Sequence, residues 1–119
     1  MTRYAIGRED EYATRDMARA AGLEVVRAAG SLGSADLVAF QRGGRVFALN
    51  VKRNVWAPPS ERAEMARWWG VKVFPVLVRV VLAPGLKGHR TRCWEFRSVD
   101  LDGSMGPIHL KPPWDIHKR

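Results

Sequence analysis

Two β-rich, largely apolar runs separated by a polar turn stand out between residues 34 and 52. Ser34-Ala35-Asp36-Leu37-Val38-Ala39-Phe40 and Val46-Phe47-Ala48-Leu49-Asn50-Val51-Lys52 flank the turn Gln41-Arg42-Gly43-Gly44-Arg45. Two β-rich runs around a Gly-Gly pair predict a hairpin with strands at 35–41 and 45–52. Folding about Gly43-Gly44 sets Asp36 opposite Asn50, within one residue. Successive strand side chains point to opposite faces, so Asn50 and Lys52 share one side. The predicted hairpin gathers a carboxylate, an amide and an ammonium at one sheet end, a layout suited to a divalent cation and a phosphate.

The flanking pattern is coarser. Tyr12, Met17 and Ala20-Ala21 form an apolar stripe that predicts a helix over 8–21, stopped by Gly22. Residues 23–28 read as a short strand and 29–34 as a loop of small residues. Residues 53–59 form a basic loop with Trp56. Ser60 is the expected N-cap of a helix over about 61–69, with Glu61 and Glu64 in its first turns. Residues 73–82 form an apolar run that predicts a buried strand, with Pro75 near its start or on an edge. A Gly/Pro loop over 83–91 carries Lys87, His89 and Arg90, and a further strand follows at 92–99. Residues 105–119 read as an irregular basic tail. The order predicts a single α/β domain over 1–119, with a central mixed β-sheet and helices packed against it.

Twenty Lys and Arg against twelve Asp and Glu leave a net charge of +8. A basic domain of this size most often meets a polyanion, usually nucleic acid, although solubility alone also explains such a charge. Arg8, Arg27, Arg53, Arg62 and Lys72 are candidate phosphate contacts, together with Arg67, Lys87, Arg90 and Arg92. Cys93 is the only cysteine. It is expected to be a small core residue in a reducing, cytoplasmic compartment. The first ten residues carry no apolar leader pattern, and Lys72, Pro75 and Arg79 interrupt the longest apolar run, so no membrane span is expected. His89, His109 and His117 lack metal-ligand spacing.

Phosphodiester hydrolysis requires a hard cation to polarise the phosphate, oxygen ligands to hold it, and a positive group to offset transition-state charge. Asp36 and the Val51 carbonyl are candidate ligands, and Lys52 is the candidate cation. Glu11, on the first helix, is a further acid within reach. Ser31 and Ser34 offer hydroxyls to a phosphate, although loops of this composition are more often plain turns. A lone Asp and Lys at strand ends are most often solvated residues.

Four ordered blocks change that balance: Gly7-Arg8-Glu9-Asp10-Glu11, Gly22 to Ser31, Ala35 to Ala39, and Leu49-Asn50-Val51-Lys52. Over about residues 5–82 the chain resembles the archaeal-type Holliday junction resolvases, which belong to the PD-(D/E)xK nuclease superfamily and also occur in phages and viruses. The resemblance implies a restriction-endonuclease-like fold, Mg²⁺ (or Mn²⁺) as cofactor, four-way junction DNA as substrate and a homodimer. It carries the helix glutamate onto Glu11, an arginine onto Arg27, the loop serine onto Ser31, the metal-binding aspartate onto Asp36 and the catalytic lysine onto Lys52. One position departs: Asn50 stands where the family has a second acid, two residues before the lysine. Three readings of Asn50 stay open. The chain is a disarmed variant, or a natural member with reduced cleavage, or another acid such as Glu11 carries the load. In the family the second helix and the strand after it build the dimer. Trp68-Trp69 would then turn one ring inward and the other toward a partner.

Overall fold

The Gly-Gly turn forms as its sequence predicts. In the computed structural model, which describes residues 2–28, 33–85, 88, 90–108 and 112, β2 (Leu37–Gln41) and β3 (Arg45–Arg53) pair antiparallel. Leu37 lies opposite Leu49 and Gln41 opposite Arg45. Gly43 and Gly44 turn the chain at φ of 97° and 86°, left-handed values that glycine adopts without steric cost. The same register, carried one residue beyond β2, faces Asp36 with Asn50.

This hairpin sits inside a mixed six-stranded sheet whose spatial order follows the chain. β1 (Glu24–Arg27) pairs with β2. β4 (Phe74–Pro84) runs parallel to β3, and β5 (Arg90–Val99) returns antiparallel to β4. The pairing of β4 with β5 continues past β3, as far as Pro84 opposite Arg90. Both ends of the loop expected over 83–91, Ala83-Pro84 and Arg90-Thr91, are therefore strand, and Lys87 and His89 lie outside the described residues. β6 (Met105–Ile108) closes the far edge against β5, so the first four residues of the irregular tail expected over 105–119 are strand; the remainder, Pro112 apart, lies outside the described residues. Pro107 is tolerated there because an outer strand leaves one row of N–H groups unneeded. Pro75 is the second residue of β4, near the strand start as expected.

Helices cover both faces. α1 (Arg3–Ala20) lies over Leu37, Ala39, Phe47, Leu49, Val51, Val76, Val78 and Val80, all buried. α2 (Pro59–Ala66) and the 3₁₀ turn Arg67–Val71 cover Ala48, Leu77 and Val99 through Met65 and Ala66. Alternation along β3 sends its odd residues to the first layer and its even residues to the second. Both helices begin earlier than their patterns predict. Thr2 caps α1, its side chain accepting from the Ala5 N–H at 3.1 Å. Pro58, not Ser60, occupies the N-cap of α2 and makes no side-chain cap. A proline at the following position, Pro59, starts a helix at no loss of a hydrogen bond.

One further expectation is corrected. Cys93 is exposed on β5 rather than a core residue. Both tryptophans of the 3₁₀ turn pack on the body of their own chain. Trp69 donates its indole N–H to the Val99 carbonyl at 2.7 Å and meets Phe74 edge-on, while Trp68 packs against the α2-side core. No described helix is long and apolar enough to cross a membrane.

Candidate active site at the end of β3

Asp36 is held on three sides by main chain. Its N–H donates to the Leu49 carbonyl at 2.7 Å, its carbonyl accepts from Ala28 at 2.8 Å, and its carboxylate Oδ2 accepts from the Val51 N–H at 2.8 Å. The Val51 backbone thus meets Asp36 first through its N–H. Burial pushes the Asp36 carboxyl up to about 6, against the Val51 hydrogen bond; the negative charge of Glu11 adds to the rise, Lys52 opposes it and Glu61 adds again. A carboxylate kept from water among other acids favours its neutral form until a cation arrives.

Asn50 follows the hairpin register to the α2 side and is 1% exposed. Its Nδ2 donates to the Ser34 carbonyl at 2.8 Å and to Glu61 Oε1 at 3.2 Å. The opposite atom of the amide, Oδ1, is buried and accepts no hydrogen bond from any described residue. Rotating the amide would press its oxygen against two acceptors, so the orientation follows from the partners. Lys52, two residues on, places Nζ 2.9 Å from the same Glu61 Oε1.

Glu61 is the site residue that sequence reasoning missed as such. It lies in the first turn of α2, where the helix dipole favours a negative charge. From there it reaches over the sheet end to Asn50 and Lys52. The available signal was an acid in the first turn of the helix directly after the candidate strand, where dipole compensation was explanation enough.

The remaining candidates separate into those near Asp36 and those engaged elsewhere. Glu11 approaches from the α1 side, close enough to act on Asp36 by charge, yet its carboxylate is engaged by Arg27 at 2.9 Å. Arg27 also lies over the Tyr12 ring at 5.3 Å. Ser34 gives its hydroxyl to Glu64 at 2.8 Å. Ser31 lies outside the described residues. Arg53 points to the α1 side and grips Asp10 with two bonds of 2.8 Å. Arg62 donates to the carbonyls of Ala57 and Gly103, a bracing role that differs from the expected phosphate contact. Lys72 is exposed in a left-handed turn before β4. That turn lies beside Phe47, five residues up β3 from Lys52, or roughly 17 Å along the strand. Arg8 is exposed on α1, and an open groove of about 720 Å³ beside that helix is lined by Glu9, Arg53, Arg90, Arg92 and Trp94 among others.

The donor set at the sheet end comprises two carboxylates, Asp36 and Glu61, and the orphaned Asn50 Oδ1. Among the described residues no three His, Cys, Asp or Glu form a ready cation cage. Mg²⁺ does not require one, since it takes one or two carboxylates and fills its remaining positions with water and substrate phosphate. A buried amide oxygen without a partner is the observation that fits such an ion best.

No protein-family model matches this chain, and no curated protein matches it. Among solved structures, that of Hjc from Archaeoglobus fulgidus, a Holliday junction resolvase from an archaeal hyperthermophile, is similar with a TM-score of 0.60 at 19% identity. The match covers 76% of this chain and 70% of that one. The two share a fold, an α/β sheet with helices on its faces.

Proposed function

We propose that this protein is a cation-dependent endonuclease that binds four-way DNA junctions and cuts them by paired phosphodiester hydrolysis. The observation that carries the reading is the convergence of Asp36, Asn50 and Lys52 at one sheet end, on a fold shared with a junction resolvase. Asp36 and Asn50 Oδ1 would hold Mg²⁺, or Mn²⁺ in its place, with the Val51 carbonyl as a further oxygen. The bound ion would supply phosphate polarisation and a water of lowered pKa. Lys52 neutralises charge building on the non-bridging oxygens. Glu11 raises the negative potential that draws the cation in, while Arg27 and the Ser34 hydroxyl would border the phosphate path.

Arginines supply the DNA surface. Arg53, Arg90 and Arg92 line one groove beside α1, the helix on which Arg8 is exposed, and its charge follows a backbone rather than reading bases. A four-way junction has pairwise symmetry, so a twofold homodimer would present two such sites to opposed strands. An intracellular location follows from that substrate.

One observation favours a second reading, a junction binder that cuts poorly. Asn50 brings no charge, and Lys52 is tied to Glu61. A labelled synthetic junction and a linear duplex of the same sequence, each with Mg²⁺ or EDTA, separate the two. Paired nicks in the junction with Mg²⁺ alone are the expected result. Tight junction binding without nicks would leave the binder. Equal treatment of junction and duplex would end both.

A further inference from the structure

Position 50 and position 61 are chemically matched. The Asn50 amide donates to two acceptors, the Ser34 carbonyl and Glu61 Oε1, at 2.8 and 3.2 Å. A carboxylate at position 50 could do neither. It would set oxygen against carbonyl on one side and charge against charge on the other. Residue 50 can therefore be an amide because residue 61 is an acid, and Glu61 can lean over the sheet end because an amide steadies it.

The other half of that amide makes the arrangement more than a brace. Oδ1 is buried in a residue 1% exposed and has no partner among the described residues. A buried carbonyl oxygen left unpaired is costly, and a cation held between Oδ1 and a neighbouring carboxylate would remove that cost. Glu61 supplies such a carboxylate. Both of its contacts, with Asn50 and Lys52, fall on Oε1. It also sits in the first turn of α2, at the end of the helix that points over the sheet end.

We propose that Glu61, carried by α2 rather than by the strand, is the second carboxylate ligand of the divalent cation, with Asn50 as the residue that positions it. The assignment rests on the reading of Asp36 as a cation ligand and names the acid that the strand lacks. Glu61 then exchanges Lys52 for the cation, and the Lys52 ammonium is released toward the phosphate. A glutamate introduced at position 50 would repel Glu61 instead of repairing the site.

The test is a calorimetric titration with Mg²⁺ in the absence of DNA. It compares the unaltered chain, Glu61→Gln, Asn50→Glu, and the double variant Asn50→Glu/Glu61→Gln. Glu61→Gln is expected to weaken Mg²⁺ by roughly tenfold or more. Asn50→Glu alone should not tighten it. The double variant, with acid and amide exchanged, should recover to within about threefold of the unaltered chain. Unchanged affinity in Glu61→Gln, or tighter binding by Asn50→Glu alone, would overturn the assignment while leaving Asp36 as a ligand. A flat titration of the unaltered chain would overturn the cation-dependent reading itself. If Glu61→Gln does not fold, Glu61→Asp carries the test: its shorter reach must loosen Mg²⁺, and unchanged affinity counts against the assignment.

Discussion

Lys52 and Arg53 are neighbours on β3 that point to opposite faces, and the two faces treat charge differently. On the α1 side Arg53 clasps Asp10 through two bonds of 2.8 Å, and Arg92 from β5 joins the same carboxylate at 3.2 Å. Asp10 is 1% exposed, and the cluster joins a helix and two strands. On the α2 side Lys52 and Asn50 share a single oxygen of Glu61, and an amide oxygen is left over. The first cluster is closed: two cations satisfy one buried anion. The second is open, with more acceptors than donors around Asp36. A closed cluster holds the fold, whereas an open one is ready to receive a cation.

The largest expected effect breaks the closed side. Asp10→Ala leaves Arg53 and Arg92 without their shared anion and should cost about 3–5 kcal/mol of stability. Urea unfolding measures it, and a loss under about 1 kcal/mol would show that the cluster is no anchor. Next comes Asp36→Asn, measured in EDTA. The Asp36 pKa is raised from 3.8 to about 6, so the folded state favours the protonated form. The stability tied to that proton is complete below pH 3.8 and is lost as pH rises through about 6. Asp36→Asn should therefore be up to ~3 kcal/mol more stable than the unaltered chain at pH 8, the difference shrinking to nothing near pH 3.8. Equal stability at pH 8 would mean that Asp36 is not strained by ionisation. The same variant should lose junction cleavage.

The smaller effects sharpen the contrast. Glu61→Gln should change stability by no more than about 1 kcal/mol, because the Lys52–Glu61 pair lies near the surface. A loss resembling that of Asp10→Ala would make Glu61 a second anchor instead of a ligand. Smallest is Arg8→Ala. It should weaken junction and duplex binding alike by a few fold and reduce the slope of log affinity against log salt by about one. An unchanged slope would take Arg8 off the DNA surface.

What was legible in the sequence follows the physics of short range. Gly43-Gly44 between two β-rich runs defined a register good enough to bring Asp36 opposite Asn50, and the two-residue period of a strand sent Lys52 to the side of Asn50. β4 was visible because both of its faces are covered, which produces an unbroken apolar run. α1 was harder to delimit because its buried line is Asp10, Thr14 and Ala18, two of them polar. Their burial depends on Arg53, Arg92 and the Trp94 indole, which donates to Thr14 at 3.0 Å. β6 was missed because Met105-Gly106-Pro107-Ile108 lacks a strand pattern. Gly106 lies so close to the Ser98 hydroxyl that a Cβ there would collide with it. Glu61 in its site role was missed for the most general reason. Its partners are eleven and nine residues away across a loop and a helix turn, and no periodicity records such a contact.

Because the spatial order of the sheet repeats the order of the chain, assembly has a natural direction. Each strand can dock on an edge that already exists, and no later strand must be threaded between two earlier ones. Every group at the open end, from Ser34 to Glu61, is synthesised before β4 begins, whereas the closed cluster must wait for Arg92. A nascent chain would therefore gather its acidic end first and acquire the Arg92 half of its lock last. Pulse-labelled hydrogen exchange would then find the β2–β3 amides protected ahead of those in α1.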